Sequence, residues 1–331
     1  MRRRSLLRAT AVMAAALVPG AVTATAAPGR TKVLVIGLDG AMYAEIREAR
    51  APNLLGLVAA GTLSQTSLVP HMSLSGPSWA TALTGVWDRK HGVTHNDFDA
   101  VPFARYPTVF TLLERAGRRT AAVATWSKIA TIAGSGAPHA SRIHVTAPVP
   151  DDPDEAKTDA ATADAAIAAL TGDAPDFLFV HLDQVDFAGH RHGAASKAYL
   201  DATTRVDREV GRIVAAVDAR HDERWTVLVT TDHGHLPRGG HGGQTRDETA
   251  TFVIARGPGF APGVTDAHYA LVDITPTALD LLDVPVPRGL DGGSMLARPA
   301  DAREWVRSAS RPGEGGPLRA PVMGAVRFAP R

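Results

Sequence analysis

The sequence predicts an α/β fold with a mostly parallel central sheet, and three features carry that prediction. Apolar runs at 32–38 (KVLVIGL), 176–182 (DFLFVHL) and 225–231 (WTVLVTT) lack the alternation of a half-exposed strand. They read as strands covered on both faces. Segments with apolar residues at helical spacing lie between them. Each run also gives way to acidic residues, Asp39, then Asp183 and Asp186, then Asp232. Those carboxylates fall at the carboxyl edge of the sheet, where the loops of open parallel sheets face a common crevice.

The chain has 331 residues, 45% of them hydrophobic and 21% charged, an ordinary balance for a globular chain with a sizeable core. One domain is expected, over 31–298. A net charge of +1 shows no basic excess of the kind that nucleic acid or an anionic membrane recruits. The absence of cysteine excludes disulfides, thiolate ligands and a cysteine nucleophile. Residues 1–26 stand apart: Arg2, Arg3 and Arg4 precede an apolar run at 9–18 and the small residues Ala24, Thr25 and Ala26, the order of an export signal. The run is shorter than the roughly 20 residues of a membrane span, so a cleaved peptide is expected rather than an anchor. Its arginine-led start resembles a twin-arginine signal, and the mature protein is expected outside the cytoplasm.

After the strand at 32–38, the chain turns at Asp39-Gly40. Helical spacing over 43–60 (Ile46, Leu54, Leu55, Leu57, Val58) ends at Gly61, with Pro52 breaking or restarting the helix. A strand is expected at 62–69. Ser73, Ser75 and Ser78 then crowd a loop before a helix opened by Pro77 and closed at Thr84-Gly85. A serine there lies beside free backbone amides that favour an anion. A helix at 108–116, a strand at 120–125, an acidic, proline-bearing loop at 148–159 and an alanine-rich helix at 160–170 follow. Beyond the strand at 176–182, Asp186 and His190 stand four residues apart, a spacing that one helical turn or a tight loop can aim at one ion. A helix at 194–220 presents Leu200, Val206, Val210, Ile213, Val214 and Val217 on one side. The strand at 225–231 leads into Asp232, His233, Gly234 and His235, then a glycine-rich loop with His241. A strand at 251–255, a helix at 273–284 and a poorly ordered tail over 299–331 complete the reading.

Asp39, Asp186 and Asp232, with His190, His233 and His241, make six oxygen and nitrogen donors at one sheet edge, a number that suits two metal ions. Two divalent cations against three carboxylates leave about one positive charge to attract an anion. A serine oxygen brought to such a centre becomes a nucleophile near neutral pH. The chemistry indicated is ester cleavage at phosphorus or sulfur.

The motifs run in a set order: Asp39 after the first strand, Ser75 before the Pro77 helix, Thr84-Gly85, His91-Gly92, Asp186-x-x-x-His190, Asp232-His233-Gly234 and a late His241. The segments 273–278 (DITPTA) and 290–294 (LDGGS) close the series. Over about 32–297 this pattern resembles the alkaline phosphatase superfamily, and most of all its bacterial nucleotide pyrophosphatase and phosphodiesterase branch. The resemblance implies an α/β/α sandwich and a two-zinc site acting on a small phosphate ester or nucleotide. One zinc would be held by Asp39, Asp232 and His233 and would also contact Ser75; the other would be held by Asp186, His190 and His241. Mn or Fe would also suit these donors. The resemblance makes Ser75 the nucleophile, through a phosphoserine, with Ser73 the second choice. It makes Asn96 a donor to a nonbridging phosphate oxygen. His71, His95, His192 and His235 are expected to support the ligands or lie at the surface.

Departures from the family pattern narrow the reading. Many of the diesterases have Thr where this chain has Ser75, so a phosphomonoesterase or phosphonate hydrolase is the alternative. A sulfatase pattern wants Pro two residues after its modified residue and Arg four after; Pro77 fits and Trp79 does not. The metal-dependent phosphoglycerate mutases carry a long insertion for which this chain has no room. A different class, an inactive extracellular metal-binding protein, predicts metal without turnover.

Overall fold

The computed structural model describes residues 30–172 and 174–296; the expected export segment at 1–26 and the tail at 299–331 lie outside them. Eight strands form one sheet: β1 (Arg30–Leu38), β2 (Thr62–Ser67), β3 (Thr120–Ala124), β4 (Arg142–Val145), β5 (Phe177–Leu182), β6 (Glu223–Thr230), β7 (Ala250–Arg256) and β8 (Val264–Ala267). Their order is β4-β3-β5-β1-β6-β7-β2-β8. Only β7 runs against the others, pairing antiparallel with both β6 and β2. The chain is therefore an α/β protein with a mostly parallel sheet.

Alternation along β1 divides the core in two. Val33 and Val35 point to one face, with Trp79, Leu83, Phe110, Phe177 and Leu279. Leu34, Ile36 and Leu38 point to the other, with Leu54, Leu170, Tyr199, Val206 and Ile213. Both faces are covered, which is why these strands read as unbroken apolar runs. Helices Pro52–Ala59, Ala156–Thr171 and Lys197–Asp218 lie on the second face. Helices Ser75–Thr84, Val109–Arg115, Lys128–Ala133 and Ile274–Leu281 lie on the first.

Pro52 does divide the predicted helix at 43–60, into Tyr43–Glu48 and Pro52–Ala59, with Pro in the second helix's first turn. The helix predicted to open at Pro77 begins two residues earlier, so Ser75 is its first residue. The loop predicted at 148–159 ends sooner, because helix Ala156–Thr171 reaches back into it. Several short elements of the described chain are additional to the sequence expectation, among them the four-residue helix Asp88–His91. β4 is a four-residue edge strand with the burial pattern exposed, intermediate, exposed, intermediate. β8 is equally short, and helix Lys128–Ala133 has six residues.

The central strands place the site. β5, β1 and β6 are neighbours and parallel, with Leu38 beside Leu182 and Gly37 beside Thr230. They end nearly level, so Asp39, Asp183 and Asp232 emerge side by side. The buried Asp159 carboxylate accepts from the amides of Asp183 and Gln184 at 2.9–3.1 Å. It thereby caps the start of helix Gln184–His192, which carries Asp186 and His190 on successive turns.

Candidate metal centre

Asp39 follows β1 and is 1% exposed. Its Oδ2 accepts from Trp79 Nε1 at 2.9 Å and from His181 Nε2 at 2.8 Å, whereas its Oδ1 is buried without a partner. Asp232, past β6, shows the same division. Oδ1 accepts from the Gly40 amide at 3.0 Å and Oδ2 is buried without a partner. The two orphan oxygens face one ring nitrogen: His233 Nε2 lies 3.5 Å from Asp39 Oδ1 and 3.2 Å from Asp232 Oδ2.

The tautomer of His233 follows from its other nitrogen. Nδ1 lies 3.1 Å from the Gly234 carbonyl, which can only accept, so Nδ1 carries the proton. Nε2 then presents a lone pair toward two carboxylate oxygens. Burial and the nearby His241 hold His233 down to about 3, so the ring stays neutral. Burial and the Asp39 carboxylate push Asp232 well above the usual carboxylate range. Three donors bearing lone pairs and buried this close together fit a divalent cation, which supplies the charge they lack. Ser75 Oγ joins them, 3.2 Å from His233 Nε2.

A second group adjoins the first. Asp186 Oδ2 lies 3.3 Å from His190 Nε2, and His190 Nε2 lies 3.0 Å from His241 Nε2. His241 Nδ1 is 2.7 Å from the Ser73 carbonyl, which turns its Nε2 inward. His233 and His241 stack with centroids 3.6 Å apart, so the two groups share a wall. One carboxylate and two imidazoles fit a second ion. Among the described residues two further groupings bring ligand atoms within 4.8 Å of one another: Asp186, His233, His235 and His241, and then Asp39, His181 and Asp183. In the latter Asp39 and His181 are already bonded to one another.

All six expected ligands and Ser75 thus converge. Ser73 does not share the pocket position of Ser75: its buried hydroxyl donates to the Gly243 carbonyl at 2.7 Å and accepts from the Gly242 amide at 3.0 Å. That serine ties down the loop bearing His241. Asn96 Oδ1 accepts from the Gly76 amide at 2.8 Å, beside Ser75, so its Nδ2 is the end left to donate outward.

The other histidines divide. His71 bonds Asp88 at 2.7 Å and stacks on Trp87 with centroids 3.9 Å apart, while His95 and His192 are exposed. His235 is fully buried, with Nε2 2.7 Å from Asp186 Oδ1. His181 and Trp79 were not expected at the site. The one available signal for His181 is a lone polar residue in an otherwise apolar buried strand; for Trp79 it is an indole N–H that must find an acceptor once buried.

A mostly parallel sheet covered by helices on both faces, with acid and imidazole groups gathered at its carboxyl edge, is an alkaline phosphatase-like α/β fold. The sequence model of the type I phosphodiesterase / nucleotide pyrophosphatase family matches residues 33–238, and the chain belongs to that family. Human ectonucleotide pyrophosphatase/phosphodiesterase family member 7 is 22% identical over 244 residues, covering 68% of this chain and 52% of its own. The 2,3-bisphosphoglycerate-independent phosphoglycerate mutase of Halobacterium salinarum is 33% identical over 141 residues, covering 41% of this chain and 27% of its own. The chain thus spans about a quarter to a half of the length of these curated relatives. Murine ectonucleotide pyrophosphatase/phosphodiesterase 5, solved in an inactive form with AMP, superposes with a TM-score of 0.64 at 15% identity, covering 78% of this chain and 96% of its own.

Proposed function

We propose that the protein is an exported, two-metal phosphoric ester hydrolase of the phosphodiesterase or nucleotide pyrophosphatase type. The observation that carries the reading is the set of orphan oxygens on Asp39 and Asp232 facing His233 Nε2, with the Ser75 hydroxyl beside them. Asp39, Asp232 and His233 would hold one ion, and Asp186, His190 and His241 the other, zinc being the metal that suits this donor set best. Bound there, such ions supply the positive charge that acidifies a hydroxyl and offsets charge building on a leaving oxygen.

Ser75 is the nucleophile in this reading: its Oγ forms the new bond to phosphorus as the ester bond breaks, and water then hydrolyses the phosphoserine. Its place at the first residue of helix Ser75–Thr84 favours the anionic group it attacks. Asn96, oriented by the Gly76 amide, donates from Nδ2 to a nonbridging oxygen. The murine relative's complex with AMP supports a nucleotide or other small phosphate ester as substrate. Export rests on the arginine, apolar and small-residue order of 1–26. Among the described residues no helix is long and apolar enough to cross a membrane.

The test is hydrolysis of bis(4-nitrophenyl) phosphate against 4-nitrophenyl phosphate by the zinc-loaded chain. Faster cleavage of the diester is expected; turnover of neither would refute the reading.

A further inference from the structure

We infer that His181 and His235 are positioning residues, each holding one oxygen of a site carboxylate so that the other oxygen is presented to a cation. The inference rests on the metal-centre reading above.

The two imidazoles share an unusual arrangement. Both are fully buried. Each sets Nε2 on a carboxylate, His181 at 2.8 Å from Asp39 Oδ2 and His235 at 2.7 Å from Asp186 Oδ1. Each leaves a buried Nδ1 without any partner. A ring nitrogen with nothing to donate to is better left as a bare lone pair than as an orphan N–H, so the proton belongs on Nε2. Both rings are then donors to the carboxylates. Carboxylate oxygens held in this way are not free to swing into two-point chelation. Asp39 offers Oδ1, which has no other partner, and Asp186 offers Oδ2 on the His190 side.

The backbone makes room for the pair. A Cβ at Gly189 would meet the His235 ring at 2.6–2.7 Å. One at Gly40, where φ is +62°, would meet His235 Nε2 at 2.7 Å and Asp186 at 2.9 Å. Neither glycine can carry a side chain without displacing His235 from Asp186. On the Asp39 side, Gly37 gives space to the Trp79 ring, whose N–H is the second donor to Oδ2. Donors behind a ligand reduce the freedom it loses on binding, and removing such outer partners characteristically weakens metal affinity roughly 10–100-fold.

The test is zinc affinity of the full chain, measured by chelator competition, with melting of the metal-free form followed in parallel. His181→Leu and His235→Leu should each weaken one of two zinc ions about 10–100-fold. His181→Gln and His235→Gln, whose amide N–H can stand where Nε2–H stood, should restore affinity to within about threefold of wild type. If a leucine variant does not fold, His→Asn, with an amide too short to reach, takes its place with the same expectation. Leucine variants that bind zinc as tightly as wild type, with only their melting changed, overturn the inference. Glutamine variants as weak as leucine ones also overturn it, since the rings would then be ligands. Wild type that takes up no stoichiometric zinc is a separate outcome: it removes the metal-centre reading and the inference with it.

Discussion

Ser75 Oγ lies 3.2 Å from His233 Nε2, although 158 residues separate them. Ser73, two residues earlier, has its hydroxyl bonded to the loop at Gly242 and Gly243 instead. The two serines therefore make different predictions. Ser75→Ala should lower turnover by about three orders of magnitude or more while zinc content and melting stay near wild type, as expected for loss of a nucleophile. Ser73→Ala should cost about 1–3 kcal/mol of stability, through the bonds lost from a buried hydroxyl. It should also weaken zinc binding at the proposed site of His241, with turnover partly retained. Thermal melts and metal content of both variants, alongside rates, decide between them.

Asn96 is exposed, and its one resolved bond runs from the Gly76 amide to its Oδ1. Asn96→Asp keeps that acceptor and replaces the donor by a charge that repels phosphate. The expected result is a loss of about 10²–10³ in kcat/KM with little change in melting temperature. An unaltered rate would remove Asn96 from the site's chemistry.

Gly37 sits inside a buried strand because Trp79 crosses beneath it. A Cβ there would lie 2.5 Å from Trp79 Cη2. Gly37→Ala should destabilise the chain by about 1–3 kcal/mol, the usual effect of overpacking. It should also weaken zinc binding, because the indole N–H is pushed off Asp39. Denaturant unfolding and a zinc titration on the same variant read both effects.

The three site carboxylates were legible in the sequence because each lies shortly past a continuous apolar run, and such a run reports both a strand and where it ends. Asp39, Asp186 and Asp232 fall into place once β5, β1 and β6 are adjacent and level. The adjacency itself was not legible: nothing local to residues 32–38 says that 177–182 lies on one side and 223–230 on the other. For the same reason His181 went unassigned, since its partner Asp39 is 142 residues away and a histidine in an apolar strand carries no periodic signal. His235 was expected only among supporting or surface residues; its burial against Asp186 depends on two glycines from different elements. β4 and β8 escaped notice because short edge strands lack an unbroken apolar run, as the residues RIHV of β4 illustrate.

Asp273 lies away from the centre, 4% exposed, accepting from the amides of Ala270 and Gly293. Burial raises its carboxyl from 3.8 to about 6, with those amides opposing the shift. The folded chain therefore holds this proton more tightly than the unfolded one. Its contribution to stability is full below about pH 4 and is lost as pH rises through about 6. The unfolding free energy of wild type minus that of Asp273→Asn should fall by up to about 3 kcal/mol between pH 4 and pH 7, two pKa units at about 1.4 kcal/mol each. A difference that stays flat, or rises, contradicts the assignment.

The central claim, that distant acids and imidazoles form one two-cation centre beside a serine, is tested most directly by zinc anomalous scattering from crystals of the purified protein. Two peaks are predicted, one among Asp39, Asp232, His233 and Ser75, the other among Asp186, His190 and His241. No stoichiometric peak, or peaks elsewhere on the chain, would contradict it.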